Sequence, residues 1–129
     1  MAKIPLSIIG LGRIGAGNEN LSNYKPMSHL AAAMKHGGFD LINLVDESLT
    51  RCSQVKDRYH LSQTKITTDI DKITHTKGSV IVIATPPDTH KAIVDKIIKY
   101  RPSLVLIEKP LGRDLISASQ IVDKLAEAK

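Results

Sequence analysis

A chain of 129 residues, 42% hydrophobic and 24% charged, is long enough for one domain with its own core and too ordinary in composition for disorder. Its net charge of +5 arises from 18 scattered basic residues, and one Phe, three Tyr and no Trp provide no stacking platform, which argues against nucleic acid as a partner. The lone Cys52 excludes an internal disulfide or multi-cysteine metal site. The apolar runs fall far short of the roughly 20 residues that span a bilayer, and no signal peptide is legible, so a cytoplasmic, membrane-free location is expected.

The first element, Leu6 to Ile9, is an apolar run that reads as a buried strand and leads directly into Gly10-Leu11-Gly12-Arg13-Ile14-Gly15. That Gly-x-Gly-x-x-Gly spacing suits a pyrophosphate. Gly10 supplies a tight turn, Gly12 lets backbone amides approach the phosphates, and Gly15 lets a helix lie close to the sheet. Ligand charge then sits at a helix N-terminus, where unpaired N–H groups favour anions. Helical period resumes only at Met27, so Ala16 to Ser28, with Asn18, Asn20, Asn23 and Pro26, reads as an insertion. It is either a tolerated surface loop or a lid beside the cofactor. Correspondingly, either a helical turn through Arg13 to Ala16 faces the phosphates or the loop's own amides do.

Met27, Leu30, Ala31 and Met34 predict a helix closed by Gly37-Gly38, and Leu41 to Val45 predict the second strand. Ser48 is placed to cap a helix from Leu49 to Tyr59, with Cys52, Val55 and Tyr59 on its inner face. A weak strand at Lys65 to Thr67 and a short helix from Ile70 to His75 precede the strand Val80 to Ala84. Ala84-Thr85-Pro86-Pro87-Asp88-Thr89-His90 follows, where two prolines stop the sheet and Asp88 or Thr89 can cap the next helix. That helix presents Ile93, Val94, Ile97 and Ile98 inward and stops before Pro102. The last strand is Leu104 to Ile107, and the last helix starts near Asp114 with Leu115, Ala118, Val122 and Leu125 inward.

Five mostly apolar strands alternating with helices predict a doubly wound parallel α/β sheet, a Rossmann fold over residues 1–129 covered on both faces, in the order 3-2-1-4-5. Its ligand crevice lies at the C-terminal ends of strands 1 and 4. In that order the edge of the fifth strand is open and apolar, which predicts self-association or a partner there.

Asp46, at the end of the second strand, can accept hydrogen bonds from both adenosine ribose hydroxyls and repels a 2′-phosphate, so NAD is expected over NADP. Glu47 and Ser48 follow it instead of an arginine, although Arg51 on the next helix can turn inwards. Alternatively Asp46 only caps that helix. The Thr85-Pro86-Pro87 loop is expected along the ribose and nicotinamide end of the cofactor, and His90 reads as a capping or surface histidine. The histidines at 29, 36, 60, 75 and 90 lack the spacing with carboxylates that marks a metal site.

Strand 5 ends in Glu108-Lys109-Pro110-Leu111-Gly112. Together with Gly10 to Gly15, Asp46 and the Ala84 to His90 loop, in this order, it resembles the N-terminal domain of the Gfo/Idh/MocA oxidoreductases over nearly the whole chain. The Glu-Lys-Pro element is the most discriminating motif. The resemblance implies a nicotinamide dinucleotide held by Gly10, Gly12, Arg13, Ile14, Gly15, Asp46, Thr85, Pro86, Pro87, His90, Glu108 and Lys109, with Lys109 assisting proton transfer at the reacting hydroxyl. It further implies a second, substrate-binding domain, so that this chain is the cofactor half of an enzyme for a sugar, nucleotide sugar or polyol and is inactive alone. The alternative is a stand-alone, non-catalytic module that binds a nucleotide or a protein.

Overall fold

Short runs of β-branched and leucine residues form the strands, and each intervening amphipathic stretch returns the chain across the sheet. Residues 1–18, 25–74 and 77–128 are described in the computed structural model of the chain. The elements are β1 (Ile4–Ile9), α1 (His29–His36), β2 (Phe39–Val45), α2 (Leu49–Tyr59), β3 (Lys65–Thr67), β4 (Val80–Ile83), α3 (His90–Ile97), β5 (Leu104–Ile107) and α4 (Leu115–Glu127). Single 3-10 turns lie at Ile70–Lys72, Pro87–Thr89 and Ile98–Tyr100. The strands form one parallel sheet in the order β3-β2-β1-β4-β5, as the sequence predicts.

Alternation along the strands sorts the core into two layers. Leu6, Ile8, Leu44 and Val82 pack with Leu30 and Ala33 of α1 and with Cys52, Val55 and Tyr59 of α2. On the opposite face, Ile9, Val45, Ile81 and Ile83 meet Val94 and Ile97 of α3 and Ile121 of α4. Burial pushes the Cys52 thiol up from its ordinary range, in keeping with a packing role. The expected caps form: Ser48 Oγ accepts the Arg51 N–H at 3.3 Å, and Gly37 ends α1 with φ of 75°.

Several local features differ from the sequence reading. Met27 is 73% exposed and lies outside α1, which begins after Ser28, whose Oγ accepts the Ala31 N–H at 3.2 Å. Of the helix expected at Ile70 to His75, only the turn Ile70–Lys72 forms before Ile73 becomes extended; His75 lies outside the described residues. Helix α4 is rotated from its expected face: Ile121 is fully buried and Leu125 packs beside it, whereas Leu115 and Val122 are 82% and 54% exposed. Gly112 is seated close against Ser117 and Ala118 at the start of this helix. Ala118, Ile121 and Leu125 satisfy the i, i+3, i+7 rule as well as the expected set does, so periodicity alone does not choose between them. Finally, β5 is covered on one face only. Val105 and Ile107 join the core, while Leu104 and Leu106 are 52% and 41% exposed, because α1 and α2 lie over β2 and β3 at the other side of the sheet.

One polar cluster is buried in the sheet. Between Leu6 and Ser7 the register with β2 slips by one residue, bringing Ser7 opposite Asn43. The Asn43 amide donates to Ser7 Oγ at 2.9 Å and to the Thr74 carbonyl at 3.0 Å, and its oxygen accepts the Thr74 N–H at 2.8 Å. It thereby does for the loop before β4 what a backbone ladder would do. Asn43→Ala leaves these partners unpaired and is expected to lower unfolding free energy by about 1–3 kcal/mol, measured as a shift of the urea midpoint at constant slope.

Candidate cofactor site

At the top of β1 the chain leaves the sheet between its two neighbours: Gly10 donates to the Val45 carbonyl and Ala84 donates to the Ile9 carbonyl, both at 2.7 Å. Gly10 has φ of +98°, and a Cβ there would stand 2.6 Å from the Ala84 carbonyl oxygen. A Cβ at Gly15 would stand 1.7 Å from the Gly10 carbonyl oxygen, so the turn closes onto its own backbone. At Gly12 a Cβ meets nothing within 4 Å. The protein's own packing therefore requires glycine at 10 and 15, while at Gly12 it leaves open space that the fold itself does not need.

A single carbonyl closes the turn: the N–H groups of Ala16 and Gly17 donate to the Gly12 carbonyl at 3.0 and 3.1 Å. Helix α1 then stacks on it, with His29 and Leu30 donating to the carbonyls of Ile14 and Gly15, each at 2.9 Å. The hydrogen-bond ladder thus runs from the glycine turn into α1 across the insertion, and Arg13 to Ala16 form a hydrogen-bonded turn. Ala16 is buried and its carbonyl accepts from the Tyr59 hydroxyl. Asn20 and Asn23 lie outside the described residues.

Asp46 is buried at the end of β2 and occupied on both oxygens. Its Oδ2 accepts the Leu11 N–H at 2.9 Å, and its Oδ1 accepts the Ser48 N–H at 2.8 Å. Arg51 Nη1 stands 3.6 Å from Oδ2. The carboxylate therefore pins the middle of the glycine turn to the start of α2, as the helix-start reading of Asp46 anticipates. Beside it opens a cleft of about 710 Å³ between the turn, including Gly12, Arg13 and Ile14, and the α2 face of Arg51, Gln54, Val55 and Arg58. Arg58 donates to Asn18 Oδ1 at 2.8 Å across this cleft.

The opposite rim is built from the loops after β4 and β5. Neither Asp88 nor Thr89 caps α3 with its side chain; Thr89 Oγ1 instead lies 2.7 Å from Thr85 Oγ1 and 2.6 Å from the Pro86 carbonyl. His90 is a fully buried strut, not a capping or surface histidine: its Nδ1 is 2.9 Å from the Leu111 carbonyl and its Nε2 is 2.8 Å from the Thr85 carbonyl. Glu108 Oε1 meets His29 Nε2 at 2.7 Å, tying the end of β5 to the start of α1. Lys109 is exposed beside that pair, as are Arg13, Ile14 and Pro86, with Thr85 and Pro87 half-buried. The loop is closed at Asp114, where the Ser117 N–H and hydroxyl hold the carboxyl below its ordinary range. His29, Gln54 and Arg58 carry no local sequence signal. No cluster of three or more potential metal ligands occurs among the described residues, and none of their helices is long and apolar enough to cross a membrane.

Residues 4–129 match the model of an oxidoreductase family described by its NAD-binding Rossmann fold. Similar solved structures include the WlbA dehydrogenase from Chromobacterium violaceum, in complex with NADH and UDP-GlcNAcA, with TM-score 0.78 and 19% identity over 99% of this chain and 33% of that one. The myo-inositol 2-dehydrogenase from Lactobacillus plantarum gives 0.68 and 18%, covering 98% of this chain and 34% of that one. A super-repressor mutant of Gal80p from Saccharomyces cerevisiae gives 0.74 and 19%, with 98% and 33% covered. The chain thus spans about a third of the length of these structures. No curated protein matches it by sequence.

The contrast between two glycines is directly measurable. Gly15→Ala is expected to destabilise the fold by about 3 kcal/mol or more, the upper end for overpacking, whereas Gly12→Ala is expected to stay within roughly 1 kcal/mol of wild type, as an exchange into open space at a residue whose φ is not positive. Thermal unfolding of the two variants checks this.

Proposed function

The chain belongs to the Gfo/Idh/MocA oxidoreductase family through its NAD-binding Rossmann fold, and from that premise we propose that it holds the nicotinamide dinucleotide for a dehydrogenase whose substrate site lies on a further domain or subunit. The observation that carries this reading is the open space at Gly12, framed by two glycines that the backbone itself demands. When bound, the dinucleotide supplies hydride-transfer chemistry. Around it, the Gly12 to Gly15 turn addresses the pyrophosphate with backbone N–H groups. Asp46 keeps one lone pair free on each oxygen after serving Leu11 and Ser48, enough to accept the hydroxyls of the adenosine ribose of NAD.

Thr85, Pro86 and Pro87 form the rim towards the nicotinamide end, held in place by His90. Glu108, anchored on His29, sets the start of the loop that carries Lys109. Lys109 moves the proton at the substrate hydroxyl. A sugar, nucleotide sugar or polyol is the substrate class, supported by the UDP-GlcNAcA complex of WlbA and by the inositol dehydrogenase among the similar structures. The Gal80p likeness favours one other reading, a non-catalytic module that binds a protein.

Two measurements separate these readings. Calorimetric titration with NADH is expected to give saturable binding to the chain, lost in Gly12→Val while circular dichroism stays native; equal affinity in that variant overturns the dinucleotide assignment. With a substrate domain supplied, Lys109→Ala is expected to reduce turnover by ~10²- to 10⁴-fold and to leave NADH affinity close to wild type. Undiminished turnover removes the lysine from the chemistry, and absence of turnover in the wild-type pair favours the binding module.

A further inference from the structure

We infer that the open edge of β5 and the outer stripe of α4 form one self-complementary surface, on which a second copy of this chain docks about a twofold axis and joins the two sheets into one. The inference does not depend on the dinucleotide reading. No strand lies beyond β5 among the described residues. The Glu108 N–H donates to the Ile83 carbonyl at 3.0 Å, and the two-residue repeat of a strand then turns the N–H and C=O groups of Val105 and Ile107 to the open edge. Leu104 to Ile107 contain neither proline nor charge, the devices that usually keep such an edge from pairing.

Helix α4 extends the apolar surface on one face of the sheet. Lys124 reaches Asp95 of α3 at 3.9 Å, and Ile116, Ser117 and Gln120 line a cavity shared with α3. Val122 lies two residues, about 200°, around the helix from Lys124, so it and Leu115 point away from α3. Because α3 connects β4 to β5, that direction leads past the edge of β5. Leu115, Ser119, Val122 and Ala126 are all exposed there, at the alternating spacing of four and three residues that forms a seam between packed helices.

An occupant of both surfaces must offer a strand to the edge and, on the same face, an apolar helix at the same offset. A second copy rotated about an axis perpendicular to the sheet does so by construction. The rotation makes the paired β5 strands antiparallel. The Ser103 N–H is spent on the Ser79 carbonyl at 2.9 Å, so the register that uses the outward groups sets Val105 opposite the partner's Ile107, and Ile107 opposite the partner's Val105, as hydrogen-bonded pairs. Leu106 then meets the partner's Leu106 on the axis, in the non-hydrogen-bonded position where side chains are closest. On the opposite face the two α4 seams meet antiparallel, with their dipoles opposed.

The test is sedimentation equilibrium of the chain from about 1 µM to about 1 mM, repeated on Leu106→Lys, Leu106→Glu and Val122→Glu. Leu106 and Val122 are 41% and 54% exposed, so these variants keep the fold, which circular dichroism checks. A reversible dimer is expected for the wild type. Each Leu106 variant alone is expected to weaken it by about a hundredfold or more, because like charges then face each other on the axis. Mixing the two Leu106 variants is expected to restore a dimer, since opposite charges then replace the leucine pair. Val122→Glu, on the helix seam, is expected to weaken the dimer by about tenfold or more. A chain that stays monomeric across the range leaves this surface to a different chain and overturns the inference. A dimer that the single variants leave intact overturns it as well, as does a mixture of the two Leu106 variants that stays monomeric.

Discussion

The approach of Gly15 to the Gly10 carbonyl is the constraint on which the site depends. Because a Cβ at 15 would sit 1.7 Å from that oxygen, the chain can reverse within one helical turn and still leave Leu11 where Asp46 reaches its N–H. The carbonyls of Ile14 and Gly15 then point along the helix axis and accept from His29 and Leu30. Helix α1 is therefore seated by the turn, although the insertion separates the two in sequence. A looser turn would disconnect the helix from the strand that leads into it.

Asp46 is the second junction. Carboxylates at strand ends in this kind of sheet are commonly discussed as ligands, yet here the group is first a structural acceptor, joining β1, β2 and α2 through two backbone N–H bonds. Buried donors without acceptors are costly to leave unpaired, so the junction of β1, β2 and α2 depends on these two oxygens. The proximity of Arg51 follows from this placement, since a helix whose N-cap lies two residues after Asp46 puts its first turn beside the carboxylate.

The opposite rim is held by histidines, not by apolar packing alone. His90 bridges the carbonyls of Thr85 and Leu111, so the loops after β4 and β5 are coupled beneath the surface. His29 couples the second of these loops to α1 through Glu108. Lys109 itself is exposed, but the loop that carries it is fixed at both ends, by Glu108 and by the Asp114 to Ser117 cap. This arrangement gives an exposed side chain on a base held at both ends.

Much of this was legible in the residues alone. The strand runs, the glycine spacing, Ser48 as a cap and the order of the sheet follow from local signals: period-2 and period-3.6 patterning, side chains that favour caps, and right-handed crossovers that leave few topologies. Tertiary structure alone decided which face of α4 turns inward, that one face of β5 stays uncovered, and that His29 meets Glu108 across 79 residues of sequence. It also decided the state of Asp46, whose type and position identify a carboxylate at the crevice but not the N–H groups and guanidinium that surround it. The division has one physical cause. Periodicity and capping act within a few residues and leave a trace in the local sequence, whereas pairings between distant side chains exist only once the sheet has fixed where each strand ends.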